Sequence, residues 1–250
     1  MDLIKRIVLY FMSSQAGLCF LLTAISTEVY GQQYDLLIMN GQVIDTKNHI
    51  NERMDVAIAN GKIAKVSKKI SQKESRKTID ASGLYVVPGL IDIHTHVFAG
   101  SKADKFADGI YSVSPDDFSF KSGVTTMVDA GTSGWRNFSL FKTQVIDHSQ
   151  TRVLNFLNIA ADGLSGKPMQ EDINEMNADS VSVLIQKYKD IIVGVKIGHY
   201  EGSDWIPFDK ALAAATKSNT PLFVECHLPQ YTLEDQLRKM RPGDIITHSY

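Results

Sequence analysis

The stretch PGLIDIHTHVFAG, residues 88–100, carries His94 and His96 at the end of an apolar run and just after a Pro-Gly break. Side chains alternate faces along a strand, so both imidazoles project to one side with Thr95 opposite. A lone His-x-His pair says little. It gains meaning from residues that close later apolar runs: Lys196 in IIVGVKIG, His227 in PLFVECH and His248 in GDIITHS. Four neutral imidazoles suit zinc or a similar borderline divalent ion. A single strand-end histidine is more often structural than ligating, but four of the chain's seven histidines at strand ends make a pattern. His49, His148 and His199 fall outside it and read as surface or loop residues. Lys196 is the odd member, because desolvation in an apolar strand disfavours its charged form. Either it pairs with a carboxylate across the fold, or it is neutral, takes up CO₂ and becomes an anionic bridge between metals. Asp92 shares a face with His94 and His96 and reads as support behind the ligands.

The elements that must position these residues follow from the rhythm of the chain. Strand-like runs end near His94, Asp129, Ile159, Lys196, His227 and His248. Helical stretches separate them at 136–148, 171–189, 205–218 and 232–240, the last with Thr232 as its N-cap. Near-continuous apolar strands alternating with helices imply parallel β/α units, in a doubly wound sheet or a barrel. Polar residues gathered at the ends of strands one, four, five and six favour a barrel mouth. A doubly wound dinucleotide fold would instead carry a Gly-rich phosphate loop, and neither G-x-G-x-x-G nor G-x-x-x-x-G-K-[ST] occurs. Before Pro88 the pattern is short and strand-like, with Asn-Gly at 40–41 and 60–61, which predicts two hairpins in a small antiparallel sheet.

With 22% charged residues and a formal net charge of −2, the chain has no electrostatic footprint for nucleic acid. The N-terminus places Lys5 and Arg6 before an uncharged apolar stretch, 7–25, followed by Val29 and Gly31 at signal-peptidase spacing. Residues 1–31 therefore read as a secretory signal cleaved near Gly31–Gln32, with a retained anchor as the alternative. A lipid anchor at Cys19 is disfavoured by the bulky Leu18 before it. The expected location is exported, periplasmic or secreted. Once Cys19 leaves with the leader, Cys226 has no internal disulfide partner. Expected partners are a small-molecule substrate, with no nucleic acid and no stable membrane insertion after cleavage; a homo-oligomer stays open.

GLYVVPGLIDIHTH resembles the first-strand signature of the amidohydrolase superfamily, metal-dependent hydrolases on a (β/α)₈ barrel. GVTTMVDAG, VGVKIG and GDIITH are similar to its dihydroorotase-like and deacetylase branch, and the resemblance runs from about residue 34 to 250. It implies an α/β fold: a TIM-type barrel at 89–250, here incomplete with about six β/α units, preceded at 32–88 by the β-strand segment of a small sandwich. It also implies one or two divalent ions, zinc first. His94 and His96 would hold the more buried metal, Lys196 as a carbamate would bridge, and His227 with His248 would hold the second. A metal-activated hydroxide would then cleave an amide or ester, with deacylation expected. A cyclic-amide hydrolase of dihydroorotase or hydantoinase type, or an inactive remnant, is the alternative.

The family's strand-eight aspartate has no counterpart within 1–250, so no catalytic residue is assigned. Residues 89–250 fall short of the roughly 250 that such a barrel needs, and the chain reads as C-terminally truncated. Asp129, at the second strand's end, is expected to bind substrate or to cap a loop.

Overall fold

The computed structural model describes residues 32–98, 112–164 and 170–249, so the expected leader lies outside the described residues. The chain divides into two compact units, one ending at Pro88 and the other beginning at Gly89.

The first unit is a five-stranded sheet of β1 (Leu36–Asp45), β2 (Ile50–Ala59), β3 (Lys62–Ser67), β4 (Thr78–Asp80) and β5 (Tyr85–Val86). Tyr34, Leu37, Ala57 and Ile70 form its small core. Asn60 and Gly61 turn β2 into β3 with φ of 52° and 70°, the left-handed pair of a two-residue hairpin. The same dipeptide at 40–41 does not turn the chain. β1 runs straight through it, and the register against β2 shifts between Ile38 and Gly41 as a bulge. The Asn40 amide donates to Asp55 on β2 at 2.8 Å, and its side chain donates to Asp80 at 3.0 Å, so both neighbouring strands hold the bulge. The β1–β2 turn falls instead at Thr46–His49, where the Asp45 carboxylate accepts from the amides of Lys47 and Asn48. The sheet is also mixed rather than antiparallel, because β4 and β5 return to pair in parallel with β1.

The second unit contains β6 (Leu90–Thr95), β7 (Val124–Asp129), β8 (Arg152–Asn158), β9 (Ile192–Gly198), β10 (Leu222–Glu225) and β11 (Ile245–Ile246). All five pairings are parallel, and spatial order follows sequence order from β6 to β11. A doubly wound sheet reverses direction at a switch point. This one never reverses, which is the winding of a (β/α) barrel, of which six strands are present. Alternate residues serve two faces. Met127, Leu157, Val195, Leu222 and Val224 join the main core with helical residues such as Phe138, Ile185, Phe208 and Ala214. Val128, Phe156 and Phe223 form a second, smaller cluster.

The stretches expected at 136–148, 171–189 and 232–240 give shorter helices, whereas that at 205–218 is found within one residue. α1 is only Phe138–Phe141 before the chain widens into a π-type turn over Lys142–Ile146, where the Thr143 hydroxyl bonds the carbonyls of Ser139 and Leu140. α2 (Ala178–Lys187) begins where the Asn177 side chain accepts from the Ser180 amide, and before it lies only a short 3-10 turn at Ile173–Glu175. α3 (Ile206–Ser218) starts with Pro207 in its first turn and ends at Asn219 with φ of 53°. α4 (Leu233–Lys239) carries the predicted Thr232 cap, whose hydroxyl accepts from the Asp235 amide at 3.2 Å. Among the described residues no helix is long and apolar enough to cross a membrane.

The bulge yields a prediction. A Cβ at Gly41 would lie 2.4 Å from Val86 Cγ2 and 3.2 Å from the Ala81 methyl. Gly41→Ala should destabilise the first unit by about 1–3 kcal/mol through overpacking. Amide hydrogen exchange should show faster opening of β1, β4 and β5, with β7 to β10 unchanged.

Candidate metal centre

Parallel strands deliver their last side chains to one end of the sheet. β6 brings His94 there with His96 one step beyond, β9 brings Lys196, and β10 brings Glu225. Thr247 and His248 follow β11. Glu225 is the residue that sequence reasoning missed, and it sits at the centre. Its Oε2 lies 2.5 Å from Lys196 Nζ and 3.7 Å from His94 Nε2. Its Oε1 lies 3.1 Å from His199 Nε2 and 3.2 Å from His248 Nε2. Two imidazoles therefore flank one oxygen, while a lysine and a third imidazole flank the other.

Local sequence explains the close packing. Glu225 pairs across the sheet with Gly198, and a Cβ there would stand 3.2 Å from Glu225 Cβ and 3.1 Å from Lys196 Cε. Gly131 has φ of 84°, and a Cβ on it would come within 2.4 Å of Lys196 Cγ. Two missing side chains thus make the channel for the lysine stem. The Lys196 ammonium also lies 4.4 Å above the Phe223 ring. Lys196 has no exposed surface and Glu225 keeps 4%. Burial works to raise the Glu225 pKa, but the His199 hydrogen bond and the Lys196 charge overcome it and hold the carboxyl well below its usual range. The carboxylate form is the one that persists.

The histidines are held from behind. His94 Nδ1 shares a 3.1 Å hydrogen bond with Thr247 Oγ1, which leaves Nε2 directed at Glu225. His96 Nδ1 shares a 2.9 Å bond with Thr132 Oγ1. The Thr132 amide in turn donates to Asp129 at 2.7 Å. Burial lowers the pKa of both rings, helped by the Lys196 charge, and takes His96 to about 4. Neutral imidazole is the metal-binding form. Asp92 accepts from the His94 backbone amide at 3.1 Å, so its support reaches the chain rather than the ring. Asp129 is fully buried and accepts from the amides of Val97 and Thr132 and from the Asn155 side chain. It acts as a clamp between the segments that follow β6 and β7, and burial raises its pKa to about 6.

Of the expected ligands, the structure draws His94 and His248 to the Glu225 carboxylate, and ligand atoms of these three lie within 4.8 Å of one another. The His96 ring centroid is 5.6 Å from that of His94. His227 is exposed and lines the same cleft as Glu225, with ring centroids 5.7 Å from His199 and 6.1 Å from His248. His199, read from sequence as a surface or loop residue, is instead a direct partner of Glu225. Its φ of 62° swings the ring back toward the strand ends, a turn that no spacing rule announces. Glu225 did leave a signal, as a lone charge inside the apolar strand LFVE, two residues before His227. Two imidazoles and a carboxylate are a donor set that fits zinc or a similar divalent ion.

No family model matches the chain. A deacetylase of Enterococcus faecalis is 32% identical over 222 residues, which are 87% of this chain and 57% of that protein. A deacetylase of Agrobacterium fabrum is 30% identical over 199 residues, 76% of this chain and 47% of that protein. A solved structure described as an adenine deaminase superposes with a TM-score of 0.72 at 31% identity, covering 85% of this chain and 56% of that one. The chain spans about half the length of the curated relatives it matches.

The site predicts opposed pH effects. The His96 pKa falls from 6.5 in the unfolded chain to about 4, so the folded protein binds fewer protons and stability declines as pH drops through that window. The Asp129 pKa rises from 3.8 to about 6, so its share of stability increases as pH falls from 6 toward 4. In metal-free protein, histidine NMR should show one ring titrating near pH 4. Asp129→Ala should lose roughly 2 kcal/mol or more by orphaning buried amides, and should steepen the acid-side fall in a denaturation series.

Proposed function

This chain belongs to the amidohydrolase superfamily, and we propose that its site holds a divalent metal ion, zinc first, and hydrolyses an amide or ester bond of a small molecule by removing an acyl group. The observation that carries this reading is the convergence of His94, Glu225 and His248 within 4.8 Å at the C-terminal ends of parallel strands. The relatives named deacetylase support acyl removal as the reaction.

A divalent cation in this position would supply Lewis acidity toward both a carbonyl and an attacking water. The protein's own groups do the positioning. Thr247 and Thr132 fix the rotation of His94 and His96, so neither ring must reorient on binding. Lys196 offsets the Glu225 charge, and Asp129 holds the loop that carries Thr132. A cleft beside Glu225, lined by Gln170, His199, Tyr200, Glu201, His227 and Leu228, gives a small substrate access to the cluster. The loop forming it is braced, since the Tyr231 hydroxyl bonds the carbonyls of Gly202 and Asp204. The basic start, apolar stretch and small residues of 1–31 support an exported protein acting in the periplasm or outside the cell.

The test uses the full chain reconstituted with zinc. Elemental analysis should find roughly one or two ions per chain, and His94→Ala or His248→Ala should each remove most of that metal. Hydrolysis of N-acyl amino acids should stop with chelator and return with zinc. Activity confined to cyclic ureides would replace the acyl substrate class, and absence of bound metal at any zinc concentration would sink the reading.

A further inference from the structure

We propose that the lysine-rich face of the first unit is an electrostatic docking surface for an anionic lipid bilayer. It belongs to a different unit from the metal centre and shares no residue with it.

The chain's formal net charge is −2, yet residues 62–77 carry seven lysines and arginines against one glutamate. All seven are exposed. Register decides which way the strand lysines face. Lys62 and Lys65 on β3 stand opposite Ala59 and Ala57 on β2, and directly opposed residues of an antiparallel pair project to one side. Ala57 belongs to the small core and Ala59 packs against it, so both lysines flank the core side of the sheet. The segment after β3 crosses that same side. Its Ile70 joins Tyr34, Leu37 and Ala57 in the core, and the Ile70 amide donates to the buried Asp55 carboxylate at 2.8 Å. A short 3-10 turn at Gln72–Glu74 follows, held where the Tyr34 amide donates to the Glu74 carbonyl at 2.9 Å. Lys68, Lys69 and Lys73 are thereby carried across one face on a backbone that the core holds.

Few of these charges are neutralised within the protein. Lys68 pairs with Glu52 at 3.3 Å and Arg76 with Asp35 at 3.8 Å. Among the described residues, Lys62, Lys65, Lys69, Lys73 and Lys77 have no acidic partner. Of the nearby acids, Asp55 is committed to the Asn40 and Ile70 amides, and Asp35 also accepts from the Asn60 amide. Lysines on an edge strand guard against unwanted strand pairing, which accounts for Lys62 and Lys65. That reason does not reach Lys68, Lys69 and Lys73, which lie beyond the strand. Uncompensated ammonium groups spread over one surface complement a plane of lipid phosphates, where each adds attraction without a shaped pocket. The sequence supports a bilayer over a soluble polyanion. The basic start and apolar stretch of 1–25 have the pattern of a segment handled at a membrane, and only residues 26–35, about 35 Å at full extension, separate it from β1.

The experiment measures cosedimentation of the full chain with vesicles of phosphatidylcholine alone and of phosphatidylcholine mixed with phosphatidylglycerol. Binding should be tighter to the anionic vesicles at low salt, and that preference should vanish in about 1 M salt, where electrostatic reach shrinks to about 3 Å. Residues 1–31 are common to every variant, so comparison between variants isolates the face. Lys65→Gln, Lys69→Gln and Lys73→Gln together should weaken anionic partitioning roughly 100-fold, about fivefold for each charge removed near the surface. The same triple change at Lys121, Lys187 and Lys189, exposed lysines of the second unit, should alter it less than about threefold. Circular dichroism checks that both variants are folded. Equal binding to the two vesicle types, binding to neither, or equal losses in the two triple variants would each overturn the proposal. Tighter binding to single-stranded DNA or dextran sulfate than to anionic vesicles at the same salt, lost in the first triple variant, would replace the bilayer by a soluble polyanion.

Discussion

The contact between Lys196 and Glu225 organises the C-terminal end of the second unit. A lysine with no exposed surface and a glutamate with 4% meet at 2.5 Å between two parallel strands. Neither charge is tolerable there alone. Breaking such a pair by removing one partner costs about 3–5 kcal/mol, because the other is left buried and uncompensated. The neighbourhood is arranged around this constraint. Glycines stand at 131 and 198 where side chains would block the lysine stem, and Phe223 offers its ring face to the ammonium. Three histidines then approach the carboxylate from the outside.

That arrangement makes the proposed metal site compatible with a stable fold. Buried imidazoles are held neutral by desolvation and by the Lys196 charge, which keeps their nitrogens available to a cation. The carboxylate stays ionised because His199 and Lys196 outweigh its burial. The lysine thus offsets the carboxylate charge within the buried cluster. Asp129 works one layer further back. By accepting the Val97 and Thr132 amides it fixes the segments after β6 and β7, and through Thr132 it fixes the His96 ring. Asp129, expected to bind substrate or to cap a loop, is fully buried here and accepts from the Val97 and Thr132 amides and the Asn155 side chain.

Much of this was legible in the sequence because it is local. Alternating apolar strands and helices fix a parallel β/α order, and the strands end at Thr95, Asp129, Asn158, Gly198, Glu225 and Ile246, each within two residues of the run ends at His94, Asp129, Ile159, Lys196, His227 and His248. The Thr232 cap needs only its own hydroxyl and the Asp235 amide three residues on. The His-x-His pair and the strand-end lysine stand out because a polar or charged side chain closing an apolar run must find a partner or a ligand where the strand delivers it.

Tertiary structure decided what depends on neighbours distant in the chain. Asn-Gly makes a hairpin at 60–61 and a bulge at 40–41: Asp55 and Asp80 reach Asn40 from strands on both sides, whereas Asn60 is bonded only through its amide, to Asp35, at the end of the β2–β3 hairpin. Glu225 and His227 share a strand face by period, so spacing alone could not rank them. Pairing of β10 with β9 chose Glu225, by setting it opposite a glycine and beside Lys196. His199 entered the cluster through a left-handed backbone angle, and His248 through another at 56°. The sequence by itself determined which strands exist, their order and the kind of chemistry at their ends. Which side chains meet was settled by register and by two glycines, because a contact across strands depends on residues that the local pattern does not bring together.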